Sequence, residues 1–336
     1  MHNSERVSYV ALHTHSQYSI LDSTISIPAL VAKAKSYGMS AVALTDSGNL
    51  YGAVDFFKAC KEAGVKPILG CELMVAPGSR FEKKRLPGQP AGYPLLLFAK
   101  NKQGYENLCK LSSLANLEGF YYTPRIDKEL LQAHHAGLLC LSGPIQGRVA
   151  QCIVQDNEEE LRQEILFHKE LFGEDYFFEI QRHSMSSEEI EQDGMKEEGW
   201  LYQNYLDLVA KQEKVILRLR ALSQEFGIPC VATSDTHYLE REDWKAQEVL
   251  MNIQSGEPRE IWERDSQGNP KRRVLNPKRE TLPAHAHDFK SPEKMRALFS
   301  DFSEAVDATG LFAGRCQFEM DFKTKYYPVF VPPDLE

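Results

Sequence analysis

The sequence has no run of 18 apolar residues, so nothing in it reads as a membrane-spanning helix. Its first residues, MHNSERVSYV, lack the apolar stretch of a secretory signal. Cysteine is sparse: seven residues, at 60, 71, 109, 140, 152, 230 and 316, with no CxxC pair. An odd, dispersed set argues against a disulfide framework and a zinc ribbon, and fits a reducing, cytoplasmic setting. GxGxxG, GxxxxGK(S/T) and GxSxG are all missing, which leaves dinucleotide, P-loop and serine-hydrolase chemistry without support. Positive charge is in deficit. Lys and Arg number 39 against 48 Asp and Glu, a formal charge of −9, which argues against a whole-surface electrostatic grip on DNA. A local basic patch stays open. No internal repeat or low-complexity tract is present.

What is present suits a packed core: 336 residues, 42% hydrophobic and 26% charged, enough for one large domain or two ordinary ones. Short apolar runs at 7–12, 41–44, 67–75, 95–99, 137–141, 176–180 and 229–232 read as seven strands. Between the first two, Ile27, Leu30, Val31 and Ala34 repeat at helical spacing, and Gly38 stands where a C-terminal cap belongs. Between the next two, Val54, Phe57 and Ala63 mark an apolar helix side that Gly64 ends. Strand, helix, glycine, strand predicts parallel βα units, and seven of them predict a barrel.

Residues 184–225 are highly charged, but Ile216, Leu219, Leu222 and Phe226 form a helical stripe. They read as one or two amphipathic helices over the barrel, with a partner-binding helix as the alternative. Residues 256–280 read as a loop, with Pro258, Pro270 and Pro277. Its basic cluster, Lys271, Arg272, Arg273, Lys278 and Arg279, reads as solvated surface, the alternative being a phosphate contact. Ser291-Pro292-Glu293 predicts a helix start, followed by one helix, EKMRALFSDFSEAVDATG, and an extended tail, KYYPVFVPPDLE.

A βα barrel places its site at the C-terminal strand ends. Those ends hold His13-Thr14-His15, Thr45-Asp46-Ser47, Glu72, Ser142-Gly143-Pro144, Gln181-Arg182-His183 and Ser234-Asp235-Thr236-His237, and Tyr93-Pro94 precedes the fourth strand. Alternation turns both imidazoles of an HxH pair to one side. With Glu72 and Asp235 they make a nitrogen and oxygen donor set suited to zinc, manganese or iron. The competing reading makes His13 and His15 structural residues bonded to carboxylates. His183, at a strand end, reads as a ligand, a phosphate donor or neither. Cys71 alternates away from Glu72 and reads as core. His2, His134, His135, His168, His285 and His287 read as surface residues.

Longer segments carry a resemblance. LHTHSQYSILDSTISI, MSAVALTDSGNLYGAVDFFKACKEAGVKPILGCELMVAP, GYENLCKLSSLANLEGFYYTPRID, GLLCLSG and ATSDTHYL are similar, in order and over nearly the whole chain, to the N-terminal PHP domain (polymerase and histidinol phosphatase) of the bacterial replicative DNA polymerase III alpha subunit. The resemblance implies an α/β fold, a distorted seven-stranded βα barrel (the PHP fold, TIM-like) with a C-terminal helical extension. It implies a PHP barrel over 1–285, and a linker and the start of the polymerase body over 286–336. The polymerase aspartates of that family lie beyond residue 336, so the chain resembles an N-terminal fragment without its own nucleotidyltransferase centre or that centre's magnesium.

The family's intact metal centre draws on nine positions. His13, His15, Asp22, Glu72, Asp235 and His237 match six of them, while Ser47, Pro94 and Pro144 stand where donors are expected. His13, His15, Glu72 and Asp235 are thus expected to hold one divalent metal, zinc or manganese, or to form a metal-free hydrogen-bonded network. Asp22 and His237 are left as a half-site, with Arg182 and His183 as phosphate or ligand contacts. Two-metal hydrolysis needs clustered ions. The expected role is therefore a scaffold for the polymerase body of the parent chain, the proofreading exonuclease subunit and other replicase subunits, with DNA reached through the parent enzyme and no membrane. The alternatives are an active metal-dependent 3′–5′ exonuclease and a phosphomonoesterase of the histidinol phosphatase type.

Overall fold

The computed structural model describes residues 9–84, 88–325 and 327. His2, Val7 and most of the expected extended tail lie outside them. Helix α1 (Ile27–Ser36) leads to β1 (Ala41–Leu44), α2 (Ala53–Ala63), β2 (Lys66–Val75) and β3 (Tyr93–Ala99). Then come α3 (Lys102–Leu117), β4 (Arg125–Ile126), α4 (Lys128–Ala133), β5 (Leu138–Leu141), α5 (Arg148–Val154), α6 (Glu158–Phe172) and β6 (Tyr176–Gln181). The chain continues through α7 (Ser187–Gln192), α8 (Gly199–Phe226), β7 (Cys230–Thr233) and α9 (Trp244–Ser255). A hairpin of β8 (Glu260–Arg264) and β9 (Pro270–Leu275) precedes α10 (Pro292–Leu298) and α11 (Ser303–Arg315).

The seven-stranded sheet runs β1-β2-β3-β5-β6-β7, with the short β4 paired to β2. The expected first strand is instead a bridging segment. Ala11 bridges Val42 on β1, and Thr14 bridges Thr236 just past β7. His15 N–H donates to Thr236 O at 2.9 Å, and Thr236 N–H to His13 O at 3.1 Å. These bonds stitch the curled sheet into the expected α/β barrel.

The expectation of uniformly parallel units fails at β3, which runs antiparallel to both β2 and β5. The remaining pairings of the sheet are parallel. The reason lies in the β2–β3 connection, which carries no helix among its described residues. Without a crossover, a strand returns beside its predecessor in the opposite direction.

Alternation sorts the barrel's side chains. Leu96 and Phe98 of β3, Ala41 and Ala43 of β1, Phe177 of β6 and Val231 of β7 share one interior cluster. Leu95, Leu97, Val42 and Leu44 instead join the larger cluster beneath the helices. The barrel floor is closed from beyond residue 285. Phe312 of α11 is fully buried and packs edge-on against Phe98 and Phe177, with ring centroids 4.9 and 5.0 Å away.

Several expectations change at this level. Val54 is 41% exposed, and the buried stripe of α2 is Ala53, Phe56, Phe57 and Cys60. The single helix expected after Ser291 breaks into α10 and α11, because Phe299 and Phe302 both insert into the core between them. The Ser291 cap itself is present, accepting from Lys294 N–H. Residues 260–275 form a hairpin in place of a loop. Asp265 Oδ1 accepts the Gln267 and Asn269 amides, and Gly268 takes a left-handed φ of 86° to close the turn. Arg279, expected on the surface, is buried and paired with Glu248 and Glu198. His168, also expected outside, is buried on the inner face of α6, stacked 5.3 Å from Tyr176.

Two outcomes follow. Phe312→Ala removes the floor of the barrel and should cost about 3–5 kcal/mol in urea unfolding; a cost under about 1 kcal/mol would separate α11 from the core. Burial holds the His168 imidazole below its ordinary pKa despite Glu164 nearby. The unfolded chain therefore takes up this proton first, and stability falls as pH drops below about 6.5, by at most ~1.4 kcal/mol per pH unit. His168→Phe should flatten that part of the stability profile between pH 7 and 5.5; an unchanged slope would contradict it.

Candidate metal centre

Leu12 packs in the barrel interior, yet its neighbour His13 also points inward, to Glu179 on β6. A regular strand would send the two to opposite faces. The slip of one residue brings His13 and His15 into the barrel mouth above the apolar interior. Asp46 fixes the loop that follows: it accepts from the Ser16 amide at 2.7 Å, Ser16 Oγ at 2.8 Å and Ser19 Oγ at 2.7 Å.

Three donor atoms, from His13, His15 and Asp235, converge there, and Glu72 approaches from the His13 side. His13 Nε2 lies 3.1 Å from His15 Nε2, 3.3 Å from Glu72 Oε2 and 3.2 Å from Asp235 Oδ1. His15 Nε2 lies 3.5 Å from the same Asp235 oxygen. A tetrahedral cation with bonds of about 2.0–2.1 Å sets neighbouring donors roughly 3.3–3.4 Å apart, close to these spacings. His13, His15 and Asp235 therefore form a cluster able to hold a metal ion.

The rings are oriented for that task. His13 Nδ1–H donates to Glu179 at 2.7 Å, and His15 Nδ1–H to Ser19 Oγ at 3.0 Å. Each leaves Nε2 facing the centre, the usual arrangement of a histidine ligand held by an acceptor behind it. Glu179 also accepts from Gln181 at 3.1 Å and Thr233 at 2.5 Å. Asp235 has a left-handed backbone, φ 44°, an uncommon conformation outside glycine that is found where structure holds a functional side chain in place.

Charge is balanced across the cluster. Burial opposes a proton on His13, but Asp235 and Glu179 outweigh it and hold the imidazole pKa well above its ordinary value. His237 is pushed up to about 9, where burial is outweighed by Asp22 and Asp235. Against burial, His13 and His237 hold Asp235 well below the usual carboxylate range, and the hydrogen bond from His13 lowers Glu72. Protons and a divalent ion therefore compete for one set of atoms.

Residues 11–183 match the family profile of the PHP domain. The chain belongs to the PHP domain family. The DNA polymerase III subunit alpha of Chlamydia muridarum is 48% identical to it over 330 residues, covering 98% of this chain and 26% of that protein. That of Chlamydia trachomatis serovar D is 47% identical over the same length and shares. That of Borreliella burgdorferi is 37% identical over 335 residues, covering 99% of this chain and 25% of that protein. The PHP chain thus spans about a quarter of the length of these relatives.

The centre of this PHP domain opens into a cavity of about 550 Å³ lined by His15, Glu72, Asp235 and His237, and also by Pro94 and Pro144. The prolines therefore stand at the same mouth as the histidines. Ser47 Oγ is 3.3 Å from His15 Nδ1 and 3.4 Å from Asp22 Oδ2. Asp22 and His237 are neighbours, but His237 Nδ1–H donates to the Asp22 backbone carbonyl at 2.6 Å while Nε2 faces Asp235 at 3.1 Å. The Asp22 carboxylate, 3.7 Å from Nδ1, thus lies behind the ring.

Arg182 is turned away from the cavity, bonded to Glu213, Asp301 and the Leu298 carbonyl, because its neighbour Gln181 takes the inward position. His183 has both nitrogens engaged: Nε2–H to Ser234 O at 2.9 Å, and Nδ1 accepting from Gln212 at 2.7 Å. Burial pushes its pKa down to about 4, so it stays neutral. Cys71 is buried, as expected. His285 and His287, expected on the surface, are buried. His285 stacks on Trp244 at 3.7 Å, and His287 lines the cavity. Glu179 went unnoticed in the sequence, although a carboxylate inside the apolar strand YFFEIQ is itself a signal. His287 carried none, since the loop around it has no periodic pattern.

Glu179→Gln should lower the His13 pKa, followed by NMR on chelator-treated protein, and weaken zinc or manganese binding by about 10–100-fold in calorimetric titration. Unchanged values in both would remove Glu179 from the site.

Proposed function

We propose that this PHP domain is the barrel module of a DNA polymerase III alpha subunit, serving chromosomal replication as a scaffold whose centre holds a divalent ion, zinc or manganese. One observation carries the reading. His13, His15 and Asp235 cluster their donor atoms, and His15, Glu72 and Asp235 line one cavity with Pro94 and Pro144, which stand where the family resemblance expects further donors. His13, His15, Glu72 and Asp235 would hold the ion. When bound, it supplies fixed positive charge at a point where the bridging segment, β2 and the end of β7 meet. Glu179 and Ser19 keep the His13 and His15 rings in the ligand tautomer, and Asp46 keeps the loop 16–19 in place.

The cavity argues against hydrolysis of nucleic acid. Among its described lining residues there is no Lys or Arg, while Asp22, Glu72 and Asp235 are acidic. A phosphodiester entering it would meet little compensating charge. The same feature weighs against a phosphomonoesterase. Partners on this reading are the polymerase body of the same parent chain, the proofreading exonuclease subunit and other replicase subunits, in the cytoplasm. No helix among the described residues is long and apolar enough to cross a membrane. The packing of Phe312 extends the proposed folding unit past residue 285, through α11.

The purified chain should contain at least one equivalent of divalent metal by elemental analysis. Chelation should lower its melting temperature, because an ion at 100 times its Kd contributes about 2.7 kcal/mol to the native state. Labelled single-stranded DNA should survive incubation with manganese or zinc. Metal-dependent shortening that His13→Ala and Asp235→Asn abolish would replace the scaffold with an exonuclease. No metal and no chelator effect would leave only a hydrogen-bonded network.

A further inference from the structure

The hairpin of β8 and β9 takes no part in the cores or in the cavity. None of its described residues joins an apolar cluster or lines the cavity at the barrel mouth. At its base, Arg259 Nε–H donates to Glu248 on α9 at 2.7 Å. A lone two-stranded ribbon is marginally stable and has little core of its own. Core packing thus does not account for the side chains it carries.

Alternation divides those side chains into two unlike faces. Across the strands Ile261 pairs with Val274, Trp262 with Arg273 and Glu263 with Arg272. Glu263 and Arg272 neutralise each other at 2.7 Å on the face shared with Ile261 and Val274. Trp262 lies on the other face, 51% exposed, with the Arg273 guanidinium 5.5 Å from its ring centre. Arg273 meets Glu260 only at 3.8 Å. Beside this pair the register shifts between Glu263 and Arg264, a bulge of the kind that re-aims side chains. Arg264 and Lys271 stand at the bulge, both exposed, and neither forms an ion pair among the described residues. Arg264 gives one N–H to the Gly268 carbonyl at 2.7 Å. Residues 256–280 hold more Lys and Arg than Asp and Glu, on a chain whose formal charge is −9. The ribbon is therefore a local positive feature on a negative protein.

An open indole flanked by cations suits a strand with unstacked bases. The ring takes the flat face of a base, and the cations meet the phosphates on either side. Bases paired in a duplex have no free face to offer. We propose that Trp262, Arg264, Lys271 and Arg273 form a contact site for single-stranded DNA, separate from the metal centre. The choice of DNA over RNA rests on the replication reading above; the surface itself needs neither the ion nor the cavity. One base stacks on Trp262, and its flanking phosphates lie against Arg264, Lys271 and Arg273. The grip is local, so the net charge of the chain does not forbid it, and salt weakens it.

The test is fluorescence anisotropy of labelled oligo(dT) with the chelator-treated chain between about 50 and 200 mM salt, with tryptophan quenching recorded alongside. The native chain should bind with a Kd of about 1–100 µM at the lower salt, and more weakly as salt rises. Trp262→Ala should weaken binding about 5- to 150-fold and remove the quenching. The double variant R264Q/K271Q leaves the Trp262–Arg273 pair in place, which covers the case in which Trp262→Ala unfolds the ribbon. It should flatten the slope of log K against log salt by about 0.7 for each cation removed. Zinc-loaded and chelator-treated chain should bind alike. No binding at the lower salt, variants that bind as the native chain does, equal affinity for duplex DNA, or binding that needs zinc would each overturn the site. Tighter binding of oligo(U) than of oligo(dT) overturns the choice of DNA. The metal content of the chain is measured independently, so loss of this site leaves the proposed ion in the barrel standing.

Discussion

The structure depends on a buried hydrogen bond between an imidazole and a carboxylate at the mouth of a barrel. His13 reaches across to Glu179, and the 2.7 Å contact joins the N-terminal segment to β6. Backbone bonds from His13 and His15 to Thr236 tie the same segment to the end of β7. One short stretch therefore both closes the sheet and carries two candidate ligands. Burying so many ionisable groups is costly unless each is paired. Here Asp235 and Glu72 face imidazoles, and Glu179 has three donors around one oxygen. The pairing leaves imidazole nitrogens and carboxylate oxygens facing one point, where protons and a cation compete for the same atoms.

The surrounding architecture makes that cluster rigid. Interior apolar residues fill the barrel below it, and Phe312 closes the floor. Prolines 94 and 144 wall the cavity above. The described lining of that cavity holds no Lys or Arg for a polyanion. On the function proposed above, the arrangement suits holding an ion better than turning over a phosphate ester.

Much of this was legible in the sequence, and the exceptions have physical causes. The runs at 41–44, 137–141 and 229–232 fold as strands because their apolar residues pack on both faces. The pair His13 and His15 falls together because alternate side chains share a face. Glycines 38 and 64 end their helices with left-handed backbones. The direction of β3 was missed because strand counting does not register whether a crossover exists. The hairpin at 260–275 was hidden by prolines that sit at its edges and that read as loop. His287 was misplaced because its burial depends on a distant contact, the stack on His183, which no local pattern encodes. Arg182 was misplaced by one step of alternation.

The central claim is that His13, His15, Glu72 and Asp235 share one divalent ion. Anomalous diffraction from crystals of the chain grown with zinc or manganese tests it most directly. The account predicts a strong peak about 2.0–2.2 Å from all four donor atoms. An empty map at that point, or a peak that avoids the two imidazoles, would contradict it.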